Sequence, residues 1–473
     1  MKEGNPLTNR LYKNLDGIRF GRLLAMLTVA SSLTILTACE GVDTPVEPAA
    51  ELSQAALSQQ TNGMIGINVL LKAPITASAL TELGKYGTVL EVIPEINALT
   101  MRVPKSQLAV IQKLPLVDSA NPDAERKGAP VDAVSVTDFS GGLNTWNLDA
   151  INVTDFRAGR TVQQDATGVY VGVLDTGLLD SWRQYFPQER IATQYAKSFG
   201  GGGGEHGNVS EQPNKWEHDQ NSHGTHVTST IIGFNLGGTA INGVAPKATI
   251  IPVKVLNQNG SGWSSVVARG VVHMANLKAG PLNGSPVVVN MSLGGGVLDA
   301  VEKAAIDYAI AQGVIIVASA GNSGAAGMGY PGAYAPVISV ANAGLKEEGS
   351  VPAWWYALDV PDPTNPSNFY LAPSSSRART GQDLDVTAPG SKVVGPYQYN
   401  SGQLSYYYLT GTSMSSPHVA GIVALMAQHN PSLNAALAES KLESAAIPMP
   451  GFAEREVGHG FITADAALAA LQQ

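Results

Sequence analysis

Five short apolar runs, at residues 169–174, 249–256, 286–291, 314–318 and 337–341, recur through the C-terminal two thirds of the chain. Stretches with helical spacing fall between several of them, at 226–232, 264–278 and 298–312. Runs apolar on both faces need cover on both sides of a sheet, and intervening helices supply it. The expectation is an α/β fold: a mostly parallel sheet with helices on both faces. In such sheets ligands and chemistry gather beyond the carboxyl ends of the strands. This unit is read as beginning at Asn144. Two interruptions, the glycine run 200–204 and the Pro- and Ser-rich insertion 346–376, read as surface excursions.

Upstream the pattern changes. Residues 64–70 look like a strand, 77–86 carry helical spacing, 88–94 and 98–103 alternate like strands, and 106–113 offers a second helix capped by Ser106. That β-α-β-β-α order predicts a small α/β sandwich able to fold alone. Residues 40–62, rich in Ala, Pro, Ser, Gln and Thr, read as a tether. Before them a basic start (Lys2, Arg10, Lys13, Arg19, Arg22) leads into the apolar run 23–36 and then to Cys39, the single cysteine. One cysteine excludes an intrachain disulfide. The arrangement is that of an export signal.

Leu36-Thr37-Ala38-Cys39 resembles the lipobox of bacterial lipoproteins. The resemblance implies cleavage before Cys39, lipid on its sulfur and acylation of the new amino terminus, a combination that anchors stably. The competing readings are a plain secretory signal and a single membrane anchor, and the short, Ser- and Thr-interrupted run disfavours a span. A formal net charge of −9 without a basic stripe argues against nucleic acid.

Three short motifs and one junction carry the chemistry. Asp175 ends the run Val171-Gly172-Val173-Leu174-Asp175-Thr176-Gly177, where an acid alone would read as a turn cap. His223 and His226 lie in Asn221-Ser222-His223-Gly224-Thr225-His226-Val227 at a helix start. As i,i+3 histidines they admit a zinc reading, which lacks further ligands nearby. Asn322 sits among glycines in Ala318-Ser319-Ala320-Gly321-Asn322-Ser323-Gly324. Ser413 lies in Gly411-Thr412-Ser413-Met414-Ser415-Ser416-Pro417-His418-Val419-Ala420-Gly421, a turn feeding an apolar helix over 419–426. Helix N-termini favour developing negative charge. A serine nucleophile needs a base, the base an orienting carboxylate, and the oxyanion a waiting donor. Each role has one candidate, and the order Asp175, His223, Ser413 is that of subtilisin rather than of chymotrypsin.

From about Asn144 onward the sequence resembles the subtilisin-like serine proteases. Besides the motifs above, Ser292-Leu293-Gly294-Gly295 matches. The resemblance implies Ser413 as nucleophile, His223 as general base and later acid, Asp175 as orienter and Asn322 as oxyanion donor. It makes His226 and His418 structural. Ser261 and Gly262, with Ser292, Leu293 and Gly294, resemble backbone segments that take a substrate as an added strand. Ala320 and Gly329 would line the pocket for the residue before the cut, with a preference for large apolar side chains. No cofactor is required for catalysis. Structural Ca²⁺, common in the family, is left open, because the loop 234–242 departs from the usual pattern and lacks acidic ligands.

By the same likeness residues 63–122 resemble the family's propeptide, which templates folding and fills the substrate groove until the enzyme cuts itself free. The expected layout is a lipoprotein signal over 1–38, a tether over 39–62, a propeptide over 63–128 and a subtilisin-like peptidase over 129–473. The expected activity is that of an exported, self-processing serine endopeptidase working through an acyl-enzyme. Its expected partners are polypeptide substrates, its own propeptide and, in the precursor, a membrane. The weighed alternatives are a lipid-anchored pseudoprotease that grips peptides without cutting and a metal hydrolase using His223 and His226.

Overall fold

The computed structural model describes residues 63–135, 144–156, 159–200, 210–398 and 405–472. The signal, Cys39, the tether and most of the glycine run lie outside the described residues.

The N-terminal sandwich forms as the alternation predicts, with one strand more. Its antiparallel sheet runs Thr88–Ile93, Ala98–Pro104, Met64–Leu71, Val117–Pro122. The helix Ala77–Leu83 starts at Thr76, whose hydroxyl accepts from Ala79 N at 3.2 Å. Its Leu83 joins Ile67, Val69, Leu99, Met101 and Ile111 in a closed core. The edge strand Val117–Pro122 escapes a sequence reading because only Val117 and Ala120 of it are buried and apolar. The second helix differs from expectation. Ser106 caps nothing: a 3₁₀ turn, Lys105–Gln107, feeds the short helix Leu108–Ile111 with no side-chain cap.

The larger sheet runs Lys197–Ser198, Thr249–Lys254, Tyr170–Asp175, Val287–Met291, Val314–Ser319, Ile338–Leu345, Phe369–Leu371. All neighbours along it are parallel until the last pair, which is antiparallel. The Val, Ile and Leu of these strands are buried on both faces, as the apolar runs required. The insertion 346–376 is more than a surface excursion. It supplies the edge strand Phe369–Leu371, stacks Phe369 on Phe461 at 4.3 Å between centroids, and buries Trp355 completely. Its aromatic residues, together with the buried Ser375 and Ser376 that accept from Asn342 N and Ser323 N at 3.0 Å each, decide where it lies.

The helix of the C-terminal motif starts earlier than the apolar run suggests. It spans Thr412–His429 and carries Pro417 inside it. Proline lacks the N–H that would bond the carbonyl four residues back. Here that carbonyl is Ser413 O, and Ser292 Oγ donates to it at 2.7 Å instead.

Two helix starts tie the sandwich to the sheet. Asp123 accepts from Ser265 N at 3.1 Å and Ser265 Oγ at 2.6 Å, at the start of Ser264–Ala279. Asp299 caps Ala300–Ala311 through Val301 N at 2.8 Å. Asn68 of the sandwich donates to both carboxylates, at 3.1 and 2.8 Å. Ile93, Ile96 and Ala98 complete an apolar layer with Val271 and Ala275 of the first helix and Val301 of the second. Among the described residues no helix is long and apolar enough to cross a membrane.

Candidate active site

Asp175 is the last residue of its strand, paired in register with Lys254, and it is wholly buried. One carboxylate oxygen accepts from Thr176 N at 2.7 Å. Both oxygens face His223 Nδ1, at 2.8 and 3.0 Å. A carboxylate only accepts, so Nδ1 carries a proton, and in the neutral imidazole Nε2 keeps its lone pair. Nε2 is buried and has no hydrogen-bond partner among the described residues.

The turn before His223 explains its glycine and serine. Ser222 sits at φ +75°, in the left-handed region, and Asp219 holds the turn by accepting from Ser222 N at 2.8 Å and Asn221 N at 3.0 Å. Gly224 lies so close to the Asp175 turn that a Cβ there would stand 2.4 Å from Gly177 O. Only glycine lets the helix bring its histidine to the strand end.

Ser413 lies in the first turn of its helix, 3% exposed. Its hydroxyl donates to Ser292 O at 3.1 Å and makes no bond to His223. Asn322 extends from the exit of the strand Val314–Ser319. Its Oδ1 accepts from Thr412 N and Thr412 Oγ1, each at 3.0 Å, at the start of the Ser413 helix.

A segment of the chain itself lies along the groove. Glu125–Lys127 pairs antiparallel with Ser261–Trp263. On its other side Lys127 exchanges both backbone bonds with Gly294, at 3.0 and 2.9 Å. Gly128 N donates to Gly260 O at 2.8 Å, and a Cβ on Gly128 would be 3.3 Å from His223 Cε1. Further on, Val131 N donates to Thr410 O at 2.7 Å, and Asp132–Ser135 pairs with Tyr406–Thr410.

Ser261, Gly262 and Gly294 are thus in contact with an extended strand of the chain itself. Gly329 joins them at one remove: its N–H bonds Ala320 O at 2.9 Å, while Gly295 N bonds Tyr330 O at 2.9 Å. The side chain of Leu293 packs in the core, the residue being 1% exposed. Ser292 has a second task beyond lining the groove, since its hydroxyl anchors Ser413. Gly260 and Glu302 were not singled out from sequence. A glutamate in a first helical turn reads as an ordinary partner of the helix dipole.

The profile of the subtilase family matches residues 166–460, most of the chain and all four catalytic candidates.

This chain belongs to the subtilase family.

As a subtilase it is a serine endopeptidase acting on polypeptides. It is 38% identical over 232 residues to subtilisin DY of Bacillus licheniformis, covering 48% of this chain and 71% of that one. To subtilisin Savinase of Lederbergia lenta it is 33% identical over 301 residues, covering 64% and 91%. Among solved structures, fervidolysin from Fervidobacterium pennivorans, a keratinolytic enzyme related to subtilisin, superposes with a TM-score of 0.64 at 23% identity, covering 87% of this chain and 62% of that one. Sphericase gives 0.52 at 28% identity, covering 68% and 99%.

The other two histidines of the subtilase motifs are structural. His226 Nε2 donates to Val393 O at 3.0 Å. His418 Nδ1 donates to Met414 O at 2.8 Å, leaving Nε2 to accept from Asn147 at 2.8 Å. Among the described residues neither His223 nor His226 belongs to a group of three potential metal ligands. Two groups of three carboxylates do stand close together elsewhere: Asp149, Asp155 and Asp359, and Asp383, Asp385 and Glu439. Neither includes a residue of the 234–242 segment, which folds as the hairpin Phe234–Leu236 and Thr239–Ile241.

Burial pushes His418 down to about 4 and His226, with His223 beside it, down to about 3. Unfolded, both would titrate near 6.5. Between those values the unfolded chain binds more protons than the folded one, so stability is full above pH 6.5 and is lost as pH falls. Each histidine contributes about 1.4 kcal/mol per pH unit in that window. Urea unfolding of a Ser413→Ala protein should show its midpoint dropping steeply between pH 6.5 and 4.5. His418→Gln should shallow that drop, and an unchanged slope would contradict the assignment.

Proposed function

We propose that Asp175, His223 and Ser413 form the proton relay of this endopeptidase and that Asn322 Nδ2 and the Ser413 N–H form its oxyanion hole. The observation that carries this reading is the strand Glu125–Lys127, laid antiparallel between Ser261–Trp263 and Gly294 and running past His223. In turnover the Ser413 hydroxyl leaves Ser292 O for the vacant lone pair of His223 Nε2. Oγ attacks the carbonyl carbon as its proton passes to Nε2. The tetrahedral oxyanion collapses, His223 returns the proton to the departing amine, and an acyl-enzyme remains. Water, activated by the same imidazole, releases it. Buried against His223, Asp175 keeps the ring in the required tautomer and stabilises its charged form. No metal takes part in these steps.

The same strand supports a second element of the proposal. Residues 63–128 belong to a propeptide whose tail fills the groove, and the enzyme cuts the connection by itself after Ala129, one residue past the expected boundary, leaving 130–473 as the peptidase. The precursor is exported and carries lipid on Cys39, so the cut separates peptidase from anchor. Ala320 and Gly329 bound the pocket for the residue before the cut and take large apolar side chains.

A fluorophosphonate probe tests the relay. Rapid labelling at Ser413 of the processed protein, insensitive to chelator, is the expected result. Absence of labelling would favour the pseudoprotease, and chelator-dependent hydrolysis without labelling a metal hydrolase. Amino-terminal sequencing of the processed protein locates the cut, and a Cys39→Ala precursor should no longer take up labelled palmitate.

A further inference from the structure

In an extended strand alternate side chains point to opposite faces. In the segment that occupies the groove, Glu125 and Lys127 are exposed, whereas Arg126 is wholly buried. Its guanidinium meets Glu302 in a two-pronged pair: Nε to Oε1 at 3.0 Å and Nη2 to Oε2 at 2.5 Å, both side chains 0% exposed. Nη2 also donates to Val297 O at 3.0 Å, and Nη1 donates to Glu125 O at 3.0 Å. Gly295 makes room for the head group, since a Cβ there would stand 2.8 Å from Arg126 Nη1 and 2.2 Å from Glu125 O. The planar fork of arginine fits a carboxylate in this way; a lysine does not.

Glu302 belongs to the helix Ala300–Ala311, not to the groove segment, so it stays when the occupant leaves. An empty position would leave a carboxylate walled by buried side chains, and an aliphatic side chain there would bury it without a partner. Only a cation with several donors restores what Arg126 supplies.

We infer that Glu302, with the Val297 carbonyl and the gap at Gly295, forms an arginine-recognising subsite, so that this protease selects polypeptides with arginine at the position Arg126 now occupies. The inference rests on the reading of the groove given above. Counting from Arg126 through Lys127 and Gly128 beside His223, with Ala129 supplying the scissile carbonyl, that arginine is the fourth residue before the cut. The selected substrates are basic at that one position, whatever residue fills the pocket next to the cut.

The test uses the processed enzyme and a peptide library read by mass spectrometry, followed by matched peptides carrying arginine, citrulline or leucine at the enriched position. Arginine should be enriched there, and kcat/KM should fall at least tenfold on replacing it with citrulline, which keeps the shape and loses the charge. In Glu302→Leu and Glu302→Gln enzymes the ratio of arginine to leucine cleavage should collapse or invert. Equal cleavage of the three peptides by the wild type, or an arginine preference that survives both variants, would overturn the subsite alone. If no peptide is cut in a Ser413-dependent way, the protease reading itself fails and the subsite with it.

Discussion

Replacing Ser413 with alanine should stop both peptide hydrolysis and maturation, and the protein should accumulate with its N-terminal sandwich attached. The expected fall in kcat is about 10⁶, a scale carried over from the nucleophile of subtilisin itself rather than derived from this structure. Structure argues that the effect is chemical. Among the described residues the hydroxyl makes a single hydrogen bond, to Ser292 O at 3.1 Å, so its loss should cost about 1 kcal/mol of stability. The Ser413 carbonyl stays held by Ser292 Oγ. Unfolding midpoints of precursor carrying serine or alanine should therefore nearly coincide while turnover differs by orders of magnitude. A variant that still matures in isolation and cleaves casein would remove Ser413 from the mechanism.

The second large effect is expected at Asn322. Its Oδ1 is held twice by Thr412, so Nδ2 is oriented before any substrate arrives, and a preset donor costs no reorganisation in the transition state. Asn322→Ala should lower kcat by roughly 10²–10³ with KM little changed, again a magnitude known from the corresponding donor of subtilisin. Asn322→Asp keeps the Thr412 bonds but points an acceptor where a donor is needed, and should be at least as impaired. A change confined to KM would mean that Asn322 binds the ground state and is not an oxyanion donor. Fluorophosphonate labelling of Asn322→Ala should slow as well, since the phosphoryl oxygen uses the same donors, whereas misfolding would abolish it.

The sheet, its parallel order and most of its helices were legible because each depends on local periodicity: 287–291 and 314–319 are apolar but for Asn290 and Ser319, and 264–279 repeats at helical spacing. Where periodicity is faint the reading stopped short. Strand Val117–Pro122 has two buried apolar residues, and the helix at Thr412 opens with small polar residues and contains a proline. That proline ends a helix on propensity alone. It is tolerated because Ser292, over a hundred residues away in sequence, satisfies the carbonyl it strands. The insertion 346–376 was misjudged for a related reason: its prolines and serines are local signals, while the burial of Trp355 and Phe369 depends on distant partners.

By itself the sequence determined which chemical groups are available and in what order: an acid, a base, an amide and a hydroxyl, each at a strand exit or helix start. Those are properties of residue type and short-range pattern. Tertiary structure alone decided which groups meet. It set the Asp175–His223 bonds, turned the Ser413 hydroxyl onto Ser292, threaded Glu125–Gly128 along the groove and enclosed Arg126 with Glu302. Such pairings join residues 48 to 176 positions apart. No periodicity reports on them, because their energy comes from desolvation and fit between surfaces that exist only once the chain has folded.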